Sequence, residues 1–190
     1  MKPLYLPSPR QLVKQFIETD FHEDPDLIYE LLEEKEVCPI YNSLKDLETW
    51  ILNQTVTRKI DTIWLHCTGT VNTATVTGIT NYWKNHLKWK NPGYHILFSL
   101  NGFSILQDLQ FPTNGARGHN STGIHISYIG GLEAGKAKDT RNNYQQQLIH
   151  ASVQILKRKY PHLNVRGHNE VANKACPVFN TAKEFSYARI

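Results

Sequence analysis

The sequence predicts an α/β protein in which a central mixed β-sheet is flanked by helices, with a helical extension at the N-terminal end. Three observations support this class. From Lys59 onward, short apolar segments alternate with amphipathic ones, a pattern typical of α/β domains. The chain has 190 residues, 40% hydrophobic and 20% charged, values typical of a globular domain. Charge also divides the chain, because residues 1–57 carry 5 basic and 11 acidic side chains and residues 58–190 carry 16 and 6.

Composition and cysteine count argue against a membrane-spanning protein, a protein with a signal peptide and a disulfide-framework protein. No segment approaches the ~20 consecutive apolar residues of a membrane helix, and the N-terminal residues lack the apolar core of a signal peptide. We therefore expect synthesis in the cytoplasm without a signal peptide, and no membrane span. The three cysteines, Cys38, Cys67 and Cys176, are too few for a disulfide framework, which leaves a thiolate available as a metal ligand.

Residues 1–57 form a predicted acidic helical extension of three short helices. Ser8-Pro9 and Asp24-Pro25 each place a capping side chain before a first-turn proline, and Ser43 with Asp46 resembles a capping box. Apolar residues then recur at helical spacing: Leu12, Val13, Phe16 and Ile17; Leu27, Ile28, Leu31 and Leu32; Leu44, Leu47, Trp50 and Ile51. Short amphipathic helices cannot bury such stripes alone.

The extension is therefore expected to pack as an ordered cap, held mainly by apolar contact and placed away from any catalytic groove. Its opposite charge favours docking on the basic body, although salt screens that attraction beyond ~8 Å. A chain beginning near Thr57 is expected to stay folded and to melt at a lower temperature. The role of the extension stays open at this point.

Residues 58–190 form the second predicted domain, built from strands and helices in alternation. Asn101-Gly102 is a strong hairpin signal, and Pro161 ends the long helix before it. The predicted strands are Thr62–Cys67, Tyr94–Leu100, Phe103–Asp108, Ile124–Ile129 and Leu163–Arg166. The predicted helices are Ile79–Leu87, Asn143–Tyr160 and Thr181–Tyr187.

The positions of some histidines and cysteines are compatible with a metal site. His66 ends an apolar strand, and His168 precedes Cys176 by eight positions. Two imidazoles and one thiolate would leave the fourth position of a tetrahedral zinc ion open for water, as catalytic sites require. Spacing alone leaves this undecided, because nine histidines in 190 residues make chance pairs common.

Four motifs resemble those of one known family. The segment His168–Pro177 resembles the C-terminal signature of the type 2 N-acetylmuramoyl-L-alanine amidases, especially the amidase-type phage lysozymes, of the peptidoglycan recognition protein superfamily. Ile63–Thr68 is similar to the motif of the first zinc histidine, Gly93–His95 to the catalytic tyrosine strand, and Gly118–Gly131 to a loop and strand beside the groove. The resemblance covers about residues 58–187.

The resemblance implies one zinc ion per chain, held by His66, His168 and Cys176, with Tyr94 and Lys174 as catalytic residues. It implies hydrolysis of the amide between N-acetylmuramic acid and L-alanine, with peptidoglycan or a muropeptide as partner. Zinc polarises the amide carbonyl and lowers the pKa of water, and a phenol and an ammonium can stabilise the oxyanion that forms. The chain would then be a phage or prophage endolysin, acting on the cell wall after release, or a recycling enzyme acting on cytosolic muropeptides.

The alternation of side chains along a strand predicts on which face of the sheet the neighbouring residues lie. Cys67 points away from His66 and is expected in the core. His95 is expected to face away from Tyr94 and to be structural. His125 alternates with Ile124 and Ile126, which predicts that it lies on the other sheet face without a metal role.

The loop before that strand is harder to assign. His119 and Asn120 either line the sugar-peptide groove as substrate-binding residues or turn the chain. Arg117 stands where relatives often have histidine, and Thr122-Gly123 where they usually have Ser-Ile. These departures bear on substrate contacts and leave the implied zinc site intact.

Other functions compete with the amidase. His168-Asn169-Glu170 is similar to the zinc nucleobase deaminase motif, but no second cysteine follows Cys176-Pro177. A non-catalytic peptidoglycan-binding module typically lacks the cysteine ligand. A regulator acting through the N-terminal extension stays possible. The basic body carries no aromatic-basic stripe, so nucleic acid is not expected as a partner, and we expect a monomer.

Overall fold

A five-stranded sheet forms the centre of the molecule. The computed structural model describes residues 39–190, so the first two predicted helices and Cys38 lie outside the described residues. The strands are β1 (Thr62–Cys67), β2 (Ile96–Ser99), β3 (Gly102–Ile105), β4 (Gly123–Tyr128) and β7 (Asn164–Gly167), with two short strands between β4 and β7. They lie in the order β3-β2-β4-β1-β7. Only β3 runs antiparallel to its neighbour, so the predicted mixed sheet is confirmed.

The central strands are buried on both faces. All six residues of β1 and all six of β4 are buried, as expected for parallel strands covered by helices on both sides. One face of the sheet carries the main apolar core, and the opposite face carries Trp64, His66 and His125. The core side chains of that first face are Ile63, Leu65, Cys67, Ile96, Phe98, Ile124, Ile126, Tyr128 and Val165.

Helix α1 (Leu44–Asn53) is the last of the three helices predicted in the extension, and it is confirmed. The Ser43 hydroxyl caps it by accepting the Lys45 backbone N–H at 3.2 Å. Leu47 and Ile51 are fully buried and belong to the same core as the sheet. Residues 39–53 therefore share their core with the α/β body.

Polar contacts also hold α1 against the body. The Lys159 ammonium donates to the carbonyl oxygens of Ile51 and Leu52 at 3.0 and 2.6 Å, which satisfies carbonyls that the end of a helix leaves unpaired. Just before α1, Tyr41 exchanges backbone hydrogen bonds with Phe103, and their rings stack with centroids 5.4 Å apart. The segment from residue 39 thus extends the β3 edge.

Helix α2 (Val76–Asn81) covers part of the opposite face of the sheet and continues as a π-helical turn, Tyr82–His86. It begins three residues before the predicted start, because the Thr75 hydroxyl accepts the Gly78 N–H at 3.0 Å and caps the helix there. Its Trp83 packs with Leu97 and Ile129 in a second, smaller core.

The predicted hairpin is present, with its turn one residue earlier. Ser99 pairs with Gly102, so the two-residue turn is Leu100-Asn101 and Gly102 is the first residue of β3. A Cβ on Gly102 would lie 2.3 Å from the Tyr41 carbonyl oxygen. The glycine therefore permits the close approach of the segment that enters α1.

The remaining elements follow the predictions with shifted ends. The short strands β5 (Leu132–Glu133) and β6 (Lys136–Ala137) form a small hairpin that the sequence did not indicate. Helix α3 (Asn143–Lys159) packs over the core. The predicted C-terminal helix is divided into α4 (Thr181–Glu184) and a 3-10 turn, Ser186–Ala188. None of the helices described between residues 39 and 190 has the length and apolar character needed to cross a bilayer.

A buried arginine connects the chain before α3 to α4. The Arg141 side chain is 3% exposed and forms paired hydrogen bonds with both Asp139 and Glu184. Its guanidinium also lies 3.5 Å from the Phe179 ring centroid. Arginine suits this position because its planar donors match two carboxylates and an aromatic face together.

Candidate metal centre and active site

Three potential metal ligands converge at one edge of the sheet. His66 lies near the end of β1, His168 follows β7 directly, and Cys176 comes from the loop beyond it. Strands β1 and β7 are parallel neighbours, so their carboxyl ends meet at the same edge. One ligand atom from each of the three residues lies within 4.8 Å of the others, with the His66 Nδ1 to Cys176 Sγ distance at 3.7 Å.

This arrangement fits a zinc ion. With zinc–nitrogen bonds of ~2.05 Å and zinc–sulfur bonds of ~2.3 Å, a tetrahedral site places nitrogen and sulfur about 3.6 Å apart. The His66–Cys176 distance of 3.7 Å matches that edge. His66 is buried, whereas His168 and Cys176 are half-buried, so the cluster has one side towards solvent. Two imidazoles and one thiolate leave a position on that side for a reactant.

The protonation states of the cluster suit metal binding. Burial, together with the charges of His125, His168 and Lys174, lowers the pKa of His66 well below its usual range. Burial also lowers the pKa of His168, so both imidazoles stay neutral and keep a lone pair. A hydrogen bond with Cys67, followed by burial, raises the pKa of the Cys176 thiol. Cation binding at this cysteine would therefore release a proton.

Cys67 lies in the core, as strand alternation predicted. Its side chain is buried among the apolar residues below the cluster. Its backbone N–H donates to Cys176 Sγ at 3.2 Å. The residue beside His66 thus supports the candidate ligand Cys176 through its backbone.

Tyr94 borders the cluster. Its ring centroid lies 5.1 Å from that of His66 and 5.3 Å from that of Trp83. Its hydroxyl donates to the Cys67 carbonyl oxygen at 3.3 Å. Burial, followed by the negative charge of Cys176, raises the pKa of the Tyr94 phenol well above its usual range. The phenol therefore stays protonated and can act as a hydrogen-bond donor.

Lys174 lies on the solvent side of the same cluster. It is exposed, in a loop closed by a hydrogen bond from the Asn169 N–H to the Cys176 carbonyl oxygen at 2.7 Å. Its positive charge contributes to lowering the pKa of both His66 and His168, as expected for an ammonium near the candidate ligands. The structure thus brings together all five residues that the resemblance singled out as ligands or catalysts.

The structure places His119 and Asn120 differently. The His119 ring packs against Trp64, with centroids 5.0 Å apart, and its charge contributes to lowering the pKa of His168. The Asn120 side-chain oxygen instead accepts the Ala116 N–H at 2.8 Å. Asn120 therefore turns the chain, and His119 lies on the side of the candidate site.

Arg58 is a supporting residue that the sequence reasoning missed. Its guanidinium donates to the carbonyl oxygens of Leu109, Ser121 and Gly123 at 2.9, 2.7 and 2.8 Å. These carbonyls lie at the two ends of the loop that carries His119. A lone arginine before a strand gave no signal of this, because its partners are backbone groups more than 50 residues away.

His125 is a second missed residue. It lies on the other sheet face from Ile124 and Ile126, as alternation predicted, but this is the face that carries the cluster. Its Nδ1 lies 3.0 Å from His66 Nε2. Sequence could reveal this contact only through the register of β1 against β4, which pairs Trp64 with His125.

His95 is structural, as predicted. Its Nδ1 accepts the His125 backbone N–H at 2.9 Å, and its Nε2 lies 3.0 Å from the Phe111 carbonyl oxygen. The proton of the neutral ring is therefore on Nε2. Burial, reinforced by the positive charge of Arg58, lowers the pKa of His95 to about 4.

Acid is expected to destabilise the protein through His95. Between about pH 6.5 and pH 4 the unfolded chain binds a proton at this residue and the folded chain does not. Its contribution, roughly 3 kcal/mol for the full shift, is present above pH 6.5 and is lost as the pH falls towards 4. Urea unfolding at a series of pH values, with chelator present, measures this loss.

A His95→Asn variant is the matched control for that series. The Asn side-chain oxygen can accept the same backbone N–H but does not titrate in this range. The variant should lose less stability than the parent between pH 6.5 and pH 4. Equal losses in the two proteins would show that His95 does not contribute.

The comparisons with known proteins agree with this geometry. No family model matches the chain. The endolysin of Escherichia phage T7 is 30% identical over 124 residues, which cover 63% of this chain and 82% of the phage protein. The structure of bumblebee PGRP-SA superposes with a TM-score of 0.56 at 18% identity, covering 70% of this chain and 86% of that one. The Ph2119 endolysin from a Thermus scotoductus bacteriophage gives 0.52 at 16% identity, with 86% and 97% covered.

The endolysin relatives and the shared fold together define the class as the type 2 amidases of the peptidoglycan recognition protein superfamily. Within that class, the chain belongs to the family of phage endolysins that includes the T7 protein. Members of this family are hydrolases that degrade the peptidoglycan of the bacterial cell wall.

Proposed function

We propose that the chain is a zinc-dependent N-acetylmuramoyl-L-alanine amidase that cleaves the amide between N-acetylmuramic acid and the L-alanine of the stem peptide. The observation that carries the proposal is the His66, His168 and Cys176 cluster, whose donor atoms lie within 4.8 Å of one another. A catalytic zinc site needs three protein ligands and one open position. Tyr94 and Lys174, which border the cluster, are the groups that an amide hydrolase would need beside it.

The chain's own residues supply donors around the scissile amide. A zinc ion bound by the cluster would act as a Lewis acid on the amide carbonyl and on the attacking water. The protonated phenol of Tyr94 would turn from the Cys67 carbonyl oxygen to donate a hydrogen bond to the oxyanion that develops. The Lys174 ammonium offers a positive charge from the solvent side. The departing amine needs a proton, which the Lys174 ammonium can donate, and the lysine can then regain the proton released by the attacking water through solvent.

Substitutions at Tyr94 and Lys174 are expected to reduce turnover without loss of metal. Loss of one oxyanion donor costs roughly 10²–10³-fold in other hydrolases, so Tyr94→Phe and Lys174→Ala should each fall in that range. Zinc content and turnover on a soluble muropeptide, measured for the same preparations, test this. Lys138→Ala, which removes an exposed lysine from the chain after β6, is the matched control for Lys174→Ala. Turnover within a few-fold of the parent for both active-site variants would contradict the proposed roles.

The identity of the cleaved bond is the direct test of the proposed function. Purified protein is incubated with peptidoglycan, with and without a chelator, and the products are identified by mass spectrometry. Free stem peptides that begin with L-alanine, formed only without chelator, are the expected result. Cleavage within the glycan or within the peptide would overturn the bond assignment, and cleavage that resists the chelator would overturn zinc dependence.

A non-catalytic peptidoglycan-binding module is the main alternative. The same incubation separates the two functions, since a binding module would sediment with peptidoglycan and release nothing. The complete donor set, including Cys176, favours the enzyme.

We also propose that the protein is a monomer that acts on the cell wall or its fragments, and that His119, beside Trp64 and His168, contacts the substrate.

A further inference from the structure

We propose that His125 is a positioning residue, which fixes the proton and the ring orientation of His66 so that Nδ1 of His66 faces the metal. The inference rests on the proposed zinc function, because it concerns how one candidate ligand is held. Its basis is geometric: His125 Nδ1 lies 3.0 Å from His66 Nε2, and both side chains are buried.

The tautomers of the two rings follow from their contacts. His66 Nδ1 is the atom that faces Cys176 Sγ, at 3.7 Å, so as a ligand it must carry no proton. The single proton of neutral His66 is then on Nε2, where its only acceptor among the described residues is His125 Nδ1. Histidine ligands usually donate their second nitrogen to a carboxylate, a carbonyl or water. In this chain a neighbouring imidazole takes that role.

The surroundings hold the His125 ring in one place. A Cβ on Gly115 would lie 2.3 Å from His125 Nδ1, and a Cβ on Gly123 would lie 2.6 Å from its Nε2. Two glycines thus leave the space that the imidazole fills. The His125 backbone N–H is also fixed, because it donates to His95 Nδ1 at 2.9 Å.

This packing requires glycine at position 123. A Cβ at position 123 would lie within 2.7 Å of His125, Trp64 and the His119 carbonyl oxygen. The glycine and the histidine therefore depend on each other. A histidine that served only to fill the core would not need its Nδ1 directed at a candidate ligand.

A matched pair of substitutions tests the proposal. Asn and Leu have similar shapes, but only the Asn side-chain oxygen can replace Nδ1 as an acceptor. We expect His125→Leu to bind zinc 10–100-fold more weakly than the parent, by chelator competition, since loss of such an outer partner has that effect. His125→Asn should restore most of the affinity. His86→Leu, at an exposed histidine, is the control and should bind like the parent.

Two further readouts do not depend on activity. In the metal-free parent, ¹⁵N-resolved spectra should show a proton on His66 Nε2 that is protected from exchange, and this protection should be lost in His125→Leu. Gly115→Ala, which forces the His125 ring to move without removing it, should also weaken zinc binding. It gives the decisive comparison if His125→Leu does not fold.

The outcomes separate this inference from the proposed function. If the parent binds no zinc, the zinc amidase assignment fails. If the parent binds zinc and a folded His125→Leu binds it within twofold, with an unchanged His66 signal, the positioning role is wrong while the metal site stands.

Discussion

A Cys176→Ala variant is expected to lose its zinc and its peptidoglycan-cleaving activity while keeping its fold. Cys176 offers the only sulfur of the three-residue cluster, and two imidazoles alone would leave the ion without the third protein ligand that catalytic zinc sites have. The cysteine is half-buried at the surface of the core, so its truncation removes little packing. Metal analysis after dialysis and turnover on muropeptides are the measurements.

Cys67→Ala is the matched control for this variant. Cys67 is a neighbouring buried thiol in the core, and alanine at this position keeps the backbone N–H that donates to Cys176 Sγ. The control should keep one zinc ion per chain and most of its turnover, with a small loss of stability from the missing sulfur. If the Cys176→Ala protein retains as much zinc as this control, Cys176 is not a ligand.

Removal of residues 1–57 is expected to unfold the protein. This revises the expectation from sequence that a chain beginning near Thr57 would stay folded. Leu47 and Ile51 of α1 are 0% exposed, and truncation of one such side chain to alanine costs about 2–5 kcal/mol. Loss of the whole helix would exceed that and use most of a typical stability of ~5–15 kcal/mol. Circular dichroism and urea unfolding measure the effect.

Smaller changes in the same helix make this prediction sharper. Ile51→Ala should lower the free energy of unfolding by about 2–5 kcal/mol, whereas Leu52→Ala, at a neighbour that is 48% exposed, should change it little. A chain beginning at Pro39 keeps every described residue and should keep the fold and the zinc. A chain beginning at Thr57 that melts at the parent temperature would show that α1 contributes nothing to the core.

The role of residues 1–38 is a separate proposal. Their predicted apolar stripes and acidic charge favour docking on the basic body, as argued from the sequence. Comparison of the chain that begins at Pro39 with the full chain on intact cell walls and on soluble muropeptides tests this. A difference confined to intact walls would indicate a role in targeting, and a difference in melting temperature alone would indicate a role in stability.

The sequence alone was sufficient for the class, the order of elements and the candidate ligands. Apolar runs with turn signals at their ends located β1 and β4 within one residue, because one face of each strand packs in the main core and is apolar. The candidate ligands His66, His168 and Cys176 followed from the resemblance of their local motifs to a known family, because the spacing of histidines and cysteines alone left the metal site undecided. Strand alternation also placed Cys67 in the core, since the side-chain period of two is a property of one strand alone.

Only the tertiary structure decided which residues support those ligands and where the body begins. The contact of His125 with His66 depends on the register of β4 against β1, and no local pattern specifies which residues of two distant strands lie side by side. The carbonyl partners of Arg58 lie more than 50 residues away from it. Helix α1 looked like part of a separate extension because residues 1–57 as a whole are acidic, yet Leu47 and Ile51 complete the main core. Charge follows the solvent-exposed side of a helix, whereas membership of a domain follows the side that is buried.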